Sequence, residues 1–128
     1  MNKREAGDYY ETLACDYLRE NGLKIIQKNF RCRQGEIDII ARDGKYLVFT
    51  EVKFRKGNRF GTAEAAVDYK KQNVISRVSD FYRKRFGISD DTCQRFDVVA
   101  LDLDDDEALH IRWHKNAFLY VPKRNTFY

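Results

Sequence analysis

Two alternating runs separated by an Asp-Gly pair constrain this chain more than anything else in it. From Glu36 to Ala41, and again from Tyr46 to Lys53, the residues alternate with the period of a half-buried strand. Between the runs lies Arg42-Asp43-Gly44-Lys45. Asp-Gly flanked by alternating segments is the strongest short-range hairpin signal, because both turn residues must take positive φ. A turn centred on Asp43-Gly44 sets Glu36 opposite Glu51, Asp38 opposite Phe49 and Ile40 opposite Leu47. Alternate residues share a face, so Glu36, Asp38, Glu51 and Lys53 emerge together. Asp38 and Glu51 become diagonal neighbours with Cα atoms about 7–8 Å apart, close enough for both carboxylates to reach one hard cation. Facing acids repel unless a cation or several bases sit among them. This face asks for a metal.

The 128 residues are expected to form a single domain, 1–128, large enough to bury its own core. No apolar run approaches the ~20 residues that span a bilayer. Met1-Asn2-Lys3-Arg4-Glu5 lacks the apolar segment of a secretory signal, so the expected compartment is the cytoplasm. Cys15, Cys32 and Cys93 are odd in number and unpaired in spacing, the pattern of reduced thiols rather than of a zinc site or disulfide framework.

Charge is more informative by distribution than in total. Five of the 20 acids fall between Asp102 and Glu107, leaving 24 bases against 15 acids elsewhere. The bases gather in Lys53–Arg59, directly after the acidic face, and in Lys70-Lys71 and Arg83-Lys84-Arg85. Bases beside carboxylates suit a polyanion whose phosphates bridge to a metal. A merely solvated basic surface is the competing reading of the same charges.

In chain order, a helix is expected over Asp8–Glu20, or from a few residues earlier, ending at Asn21-Gly22. Glu11 lies about 20° from Leu18 on its helical wheel, at the border of the apolar stripe. Such a glutamate commonly snorkels to solvent; the sharper reading points it toward the acidic sheet face. Lys24–Phe30 reads as a strand, and Arg31–Gly35 connects it to the hairpin. After Lys53 comes a basic, glycine-bearing loop, then a first turn after Thr62 and a main helix after Asp68, stopping at Gly87. Lys71 and Gln72 fall in its first turns. Arg95–Leu103 is an apolar, central strand, an acidic loop follows, and Ala108–His114 is the last strand. The tail from Asn116 is aromatic-rich. The order α-β-β-β-α-β-β defines an α/β fold, a mixed sheet flanked by helices.

Glu-x-Lys alone carries little information, and the constellation supplies the specificity. An acid in one strand faces Glu-x-Lys in its antiparallel partner, with a basic loop behind and a Glu-bearing helix ahead. Asp38, Glu51 and a backbone carbonyl such as that of Val52 suit the oxygen-only octahedral preference of Mg2+, with Mn2+ as an alternative ion. Such an ion lowers the pKa of a bound water and offsets transition-state charge. Lys53 would orient that water, help deprotonate it or stabilise the developing charge.

Gly35-Glu36-Ile37-Asp38 with Glu51-Val52-Lys53 resembles the PD-(D/E)XK nuclease pattern, and in particular the YraN-like family of small bacterial proteins, related to archaeal Holliday-junction resolvases. The likeness extends over nearly the whole chain: Glu11 with Ala14 and Tyr17-Leu18, Asn29-Phe30-Arg31, Phe60-Gly61, Lys71-Gln72, Arg95–Val99 and Asn116-Ala117-Phe118. It implies a restriction-endonuclease-like core in which Asp38, Glu51 and Lys53 form the catalytic trio and Glu11 is the first-helix acid of resolvase relatives. Lys71 and Gln72 match second-helix positions at the DNA backbone; Arg55, Lys56 and Arg59 are the further candidates for DNA contact. The superfamily's proline before the first acid is Ile37 here, and Asp68-Tyr69 replaces a Thr-Pro helix start. No role is assigned to Glu36. The implied function is Mg2+-dependent endonuclease hydrolysis of DNA phosphodiesters, on branched or otherwise structured DNA, by a protein that analogy makes a homodimer. The alternative is a non-catalytic nucleic-acid-binding or adaptor protein that keeps the fold. Three charged groups retained on one sheet face favour catalysis.

Overall fold

A computed structural model of the chain describes residues 1–57, 61–62 and 65–124. The elements run α1 (Lys3–Glu20), β1 (Lys24–Cys32), β2 (Gly35–Asp43), β3 (Tyr46–Lys56), α2 (Tyr69–Arg85), β4 (Gln94–Leu103) and β5 (Leu109–Phe118). The expected order is therefore the observed one. The helix that was expected over Asp8–Glu20 starts at Lys3, because Asn2 and Glu5 form a reciprocal capping box that satisfies two otherwise orphaned N–H groups. Asp68 caps α2 by accepting the Lys71 N–H at 2.8 Å, and Gly87 follows the helix in the left-handed region at φ 62°.

The sheet order is β1-β2-β3-β4-β5, antiparallel except for β3 against β4. A parallel pair needs a crossover, and α2 supplies it. β3 is the central strand, and β4 is interior beside it. Ile40, Leu47, Phe49, Phe96 and Val98 face α2 with Ile75, Val78 and Tyr82. Ile39, Ala41, Val48, Val99 and Leu101 face α1 with Ala14, Cys15 and Leu18. The sheet is thus buried on both sides, which explains the near-continuous apolar run of β4. Among the described residues no helix is long and apolar enough to cross a membrane.

Two expectations need correction. The hairpin register is not centred on Asp43-Gly44. Asp43 pairs with Tyr46 and Ile39 with Thr50, so the turn residues are Gly44 and Lys45, with Gly44 at φ 58°. Asp43 stays in the ladder while its carboxylate accepts from Arg95 at 2.9 Å. Glu36 therefore faces Arg31 of β1 instead of Glu51, and pairs with it at 3.4 Å. The last strand, expected to end at His114, runs on to Phe118. Its register shifts opposite Phe96–Val98, where Asn116 takes φ 53° and donates its backbone N–H to Asp97 at 2.9 Å. A bulge of this kind breaks the alternation that marks a strand.

Candidate active site

The β2–β3 ladder stops at Ile39–Thr50, although β2 begins at Gly35 and β3 continues to Lys56. Beyond that point β3 pairs only with β4, and β2 with β1. The sheet forks, and Asp38 and Glu51 stand at the fork. One further step of the register would have set them opposite each other instead of diagonally, and although the ladder has ended there the charge of Asp38 still acts on Glu51 across the gap. The pairing slides by two positions, so both carboxylates keep the same face. Asp38 accepts the backbone N–H of Val52 at 2.8 Å, replacing the lost ladder bond with a side-chain one and fixing the carboxylate across the gap.

The electrostatics follow from burial. Glu51 is almost wholly buried, and its carboxyl is raised to about 7 by desolvation and by the neighbouring charge of Asp38. Desolvation also raises Asp38, opposed first by the Val52 N–H. Two bases pull both groups back, Lys71 from α2 and Lys53 from β3. The Lys53 Nζ stands 3.6 Å from Glu51 Oε1.

Glu11 reaches the same place from the other helix. Its carboxyl is raised to about 7 by desolvation first and by Asp38 second, with Asn29 and Lys28 acting against the shift. Its Oε1 is buried without a hydrogen-bond partner. Asn29 lies in the left-handed region at φ 54°, a conformation that asparagine tolerates better than most residues. The structure thus gathers Asp38, Glu51, Lys53, Glu11 and Lys71 around one fork between two helices.

These donors suit a hard divalent ion. Two facing carboxylates short of positive charge, with a third acid carrying an orphaned oxygen nearby, match the oxygen preference of Mg2+. Among the described residues no three His, Cys, Asp or Glu side chains form a ready-made cage. Magnesium characteristically completes its shell with water and substrate phosphate, so a two-carboxylate seat with the Val52 carbonyl fits that habit.

The candidate DNA-contact residues divide. Lys56 is exposed at the end of β3, while Arg59 lies outside the described residues. Gln72 donates its side-chain amide to the Val67 carbonyl at 2.9 Å, which ties the α2 approach to the helix. Arg55 donates to Asp102 at 2.9 Å and to the Gly61 carbonyl at 3.1 Å. Asp102, counted with the clustered acids by charge but placed in the expected Arg95–Leu103 strand, is fully buried in β4 between Arg55 and Arg112, whose Nε donates to it at 2.8 Å. Asp97 is buried likewise, accepting from Arg95 through both oxygens at 2.9 Å and from the Trp113 indole at 3.0 Å. Neither cluster was legible as such. The usable signal was an acid interrupting an apolar strand, which must find partners when buried.

Fold and site together define a small α/β protein with a mixed five-stranded sheet and a carboxylate pair at its fork. The chain belongs to UPF0102, an uncharacterised protein family whose pattern matches residues 10–101. It is 42% identical over 120 residues to the UPF0102 protein PBPRA3228 of Photobacterium profundum, covering 93% of this chain and 94% of the relative. The UPF0102 protein lpg2994 of Legionella pneumophila is 42% identical over 115 residues, 90% and 95% of the two chains. For STH1475 of Symbiobacterium thermophilum the identity is 44% over 115 residues, 90% and 97%. The matched segment contains Glu11, Asp38, Glu51, Lys53 and Lys71.

Proposed function

We propose that this protein is a Mg2+-dependent DNA endonuclease of the PD-(D/E)XK class, acting on branched or otherwise structured DNA. The observation that carries the reading is the fork: Asp38 and Glu51 on one face, with the Lys53 ammonium 3.6 Å from Glu51. Asp38, Glu51 and the Val52 carbonyl would hold Mg2+, or Mn2+ in its place. Bound there, such an ion supplies a Lewis acid for the phosphate and a water of lowered pKa.

The chain's own residues do the rest. The Val52 N–H holds Asp38 in position across the gap. Lys53 orients the attacking water and balances charge building on the phosphate oxygens. Lys71, acting on both carboxylates from α2, adds positive charge on the side from which a phosphate backbone would arrive. Glu11 stands behind Asp38 as a proton-holding or second-ion group. Lys56 extends the basic approach along the strand leaving the site.

The test joins binding to cutting. Calorimetric titration with Mg2+ or Mn2+ is expected to show binding by the wild type and its loss in Asp38→Asn. Branched, flapped, single-stranded and linear duplex DNA are then incubated with wild type, Asp38→Asn and Lys53→Ala. Cleavage that disappears in both variants supports hydrolysis. Tight DNA binding without cutting by any version would establish the adaptor reading instead. A sedimentation measurement on the same samples tests the homodimer that analogy implies.

A further inference from the structure

A groove of about 430 Å³ lies over α2, within the size range of small-molecule sites. It is lined by Gln34 from the β1–β2 connection, by Arg77, Asp80, Phe81 and Lys84 of α2, and by Lys123 from the segment after β5. At 100° per residue, Arg77, Asp80 and Lys84 stand about 120°, 180° and 140° round the helix from position 71. Lys71 is the α2 base that acts on Asp38 and Glu51. The helix therefore turns one charge to the carboxylates and another set to this groove.

Bonds between distant parts of the chain assemble the groove. The Val121 N–H donates to the buried Ser76 Oγ at 3.0 Å. Arg77 Nη2 donates to the Val121 carbonyl, and the Tyr120 hydroxyl donates to Asp80 at 2.9 Å. These ties lay the segment after β5 along α2 and bring Lys123 to the same groove as Arg77 and Lys84. They also engage Asp80, the one acid in the lining. Asp80 stands 3.5 Å from Arg77 Nε, yet Nε and Nη1 are buried with no hydrogen-bond partner. Among the described residues Lys84 and Lys123 enter no ion pair. Gln34 Oε1 accepts from the Cys32 thiol at 3.2 Å, which leaves the amide NH2 as a donor.

Three bases (Arg77, Lys84, Lys123) against one acid (Asp80) give the lining a formal charge of +2. A phosphate monoester carries about −1.5 to −2 at pH 7 and offers three strong acceptor oxygens, whereas a carboxylate or an internal phosphodiester carries a single charge. We infer that this groove binds a phosphate monoester. Lys84, Lys123 and the Gln34 amide donate to its oxygens, and the Phe81 ring, 38% exposed, borders the apolar part of the ester. Arg77, fixed by its bond to Val121, adds positive potential from beneath. A free nucleotide and the phosphorylated end of a nucleic-acid strand both present this group. The site is separate from the fork, so the inference stands apart from the hydrolytic reading.

The test is calorimetric titration in EDTA of the full-length wild type, a Lys84→Gln/Lys123→Gln variant and a Lys3→Gln/Lys24→Gln variant. The last removes the same charge from exposed positions of α1 and β1, outside the groove. Two matched pairs of probes are compared: adenosine monophosphate beside adenosine, and a single strand with a terminal phosphate beside the same strand ending in a hydroxyl. The wild type is expected to bind the phosphorylated member of at least one pair about tenfold or more tightly, the order of one charge-assisted contact. Preference within the first pair identifies a free ester as ligand, and preference confined to the second identifies a strand end. The Lys84/Lys123 variant should lose that preference and the Lys3/Lys24 variant keep it. No preference for either phosphorylated probe in the wild type overturns the inference. So does a preference that survives in the Lys84/Lys123 variant, or one lost equally in the Lys3/Lys24 variant. None of these results bears on the fork, whose ion binding and cutting are read from Asp38→Asn and Lys53→Ala.

Discussion

Replacing Glu51 by glutamine should stabilise the metal-free protein above neutral pH. Glu51 is nearly wholly buried, with a single ammonium at 3.6 Å and the charge of Asp38 close by. Its carboxyl is raised from 4.5 to about 7. Between those values the folded state keeps a proton that the unfolded chain has released. Proton linkage then makes the unfolding free energy fall as pH rises from about 4.5 to about 7 and level off above. At about 1.4 kcal/mol per pH unit, the ionised carboxylate disfavours the fold by about 3 kcal/mol. The neutral amide has nearly the same shape and removes this cost. It also leaves Lys53 without its partner, and Asp38 and Glu51 share protons as a pair, so the expected net gain is about 1–3 kcal/mol.

For a chain of this length that corresponds to about 4–12 °C in the unfolding midpoint. The measurement is thermal unfolding followed by circular dichroism in EDTA, at pH 8 and at pH 4.5. The variant should melt higher than wild type at pH 8 and within about 2 °C of it at pH 4.5. Mg2+ should reverse the order at pH 8, because only the wild type keeps both carboxylates. An ion at one hundred times its dissociation constant adds about 2.7 kcal/mol to the protein that binds it. A variant melting at or below wild type at pH 8 in EDTA would refute the electrostatic account of the fork. An equal gain at both pH values would refute it too, since packing alone would then explain the change.

Two structural substitutions test the frame around the site. Asp102→Ala removes the buried acceptor shared by Arg55 and Arg112, and urea unfolding should show a loss of about 3 kcal/mol, the lower end for a broken buried ion pair; a loss below about 1 kcal/mol would mean the arginines find water unaided. Gly35→Ala should cost about 2–4 kcal/mol through backbone strain and overpacking, because φ is +150° and a Cβ would stand 2.6 Å from Val74 Cγ1. The same change should weaken Mg2+ binding, since Gly35 begins the strand that carries Asp38; unchanged stability in Gly35→Ala would show that α2 yields at Val74.

Much of the candidate site was legible because strand faces are a matter of parity. The Asp43-Gly44 signal placed the turn one residue early, yet sliding the pairing by two positions keeps the parity of Asp38, Glu51 and Lys53; Glu36 departs from them, because its neighbours Gly35 and Ile37 both face α2. What local pattern could not supply was the pairing itself. Asp43 remains in the ladder through Arg95, a partner far along the chain that no turn rule weighs. Distant partners also explain the other surprises: Asp97 organises a bulge at Asn116, and Asp102 ties Arg55 to β4. Counted as charges, Asp102 and Arg55 suggest an acidic loop and a DNA contact; placed in the sheet, they hold β3 and β4 together just past the fork. The acids that local reasoning found are those short of strong partners, and the acids it missed are those fully satisfied. Asp97 and Asp102 each have arginine within direct hydrogen-bond reach, whereas buried Glu51 has an ammonium at 3.6 Å and half-buried Asp38 takes the Val52 N–H. A fold able to neutralise two buried aspartates so thoroughly, yet leaving a carboxylate pair at its fork undercharged, has the electrostatic arrangement that the proposed cation would offset.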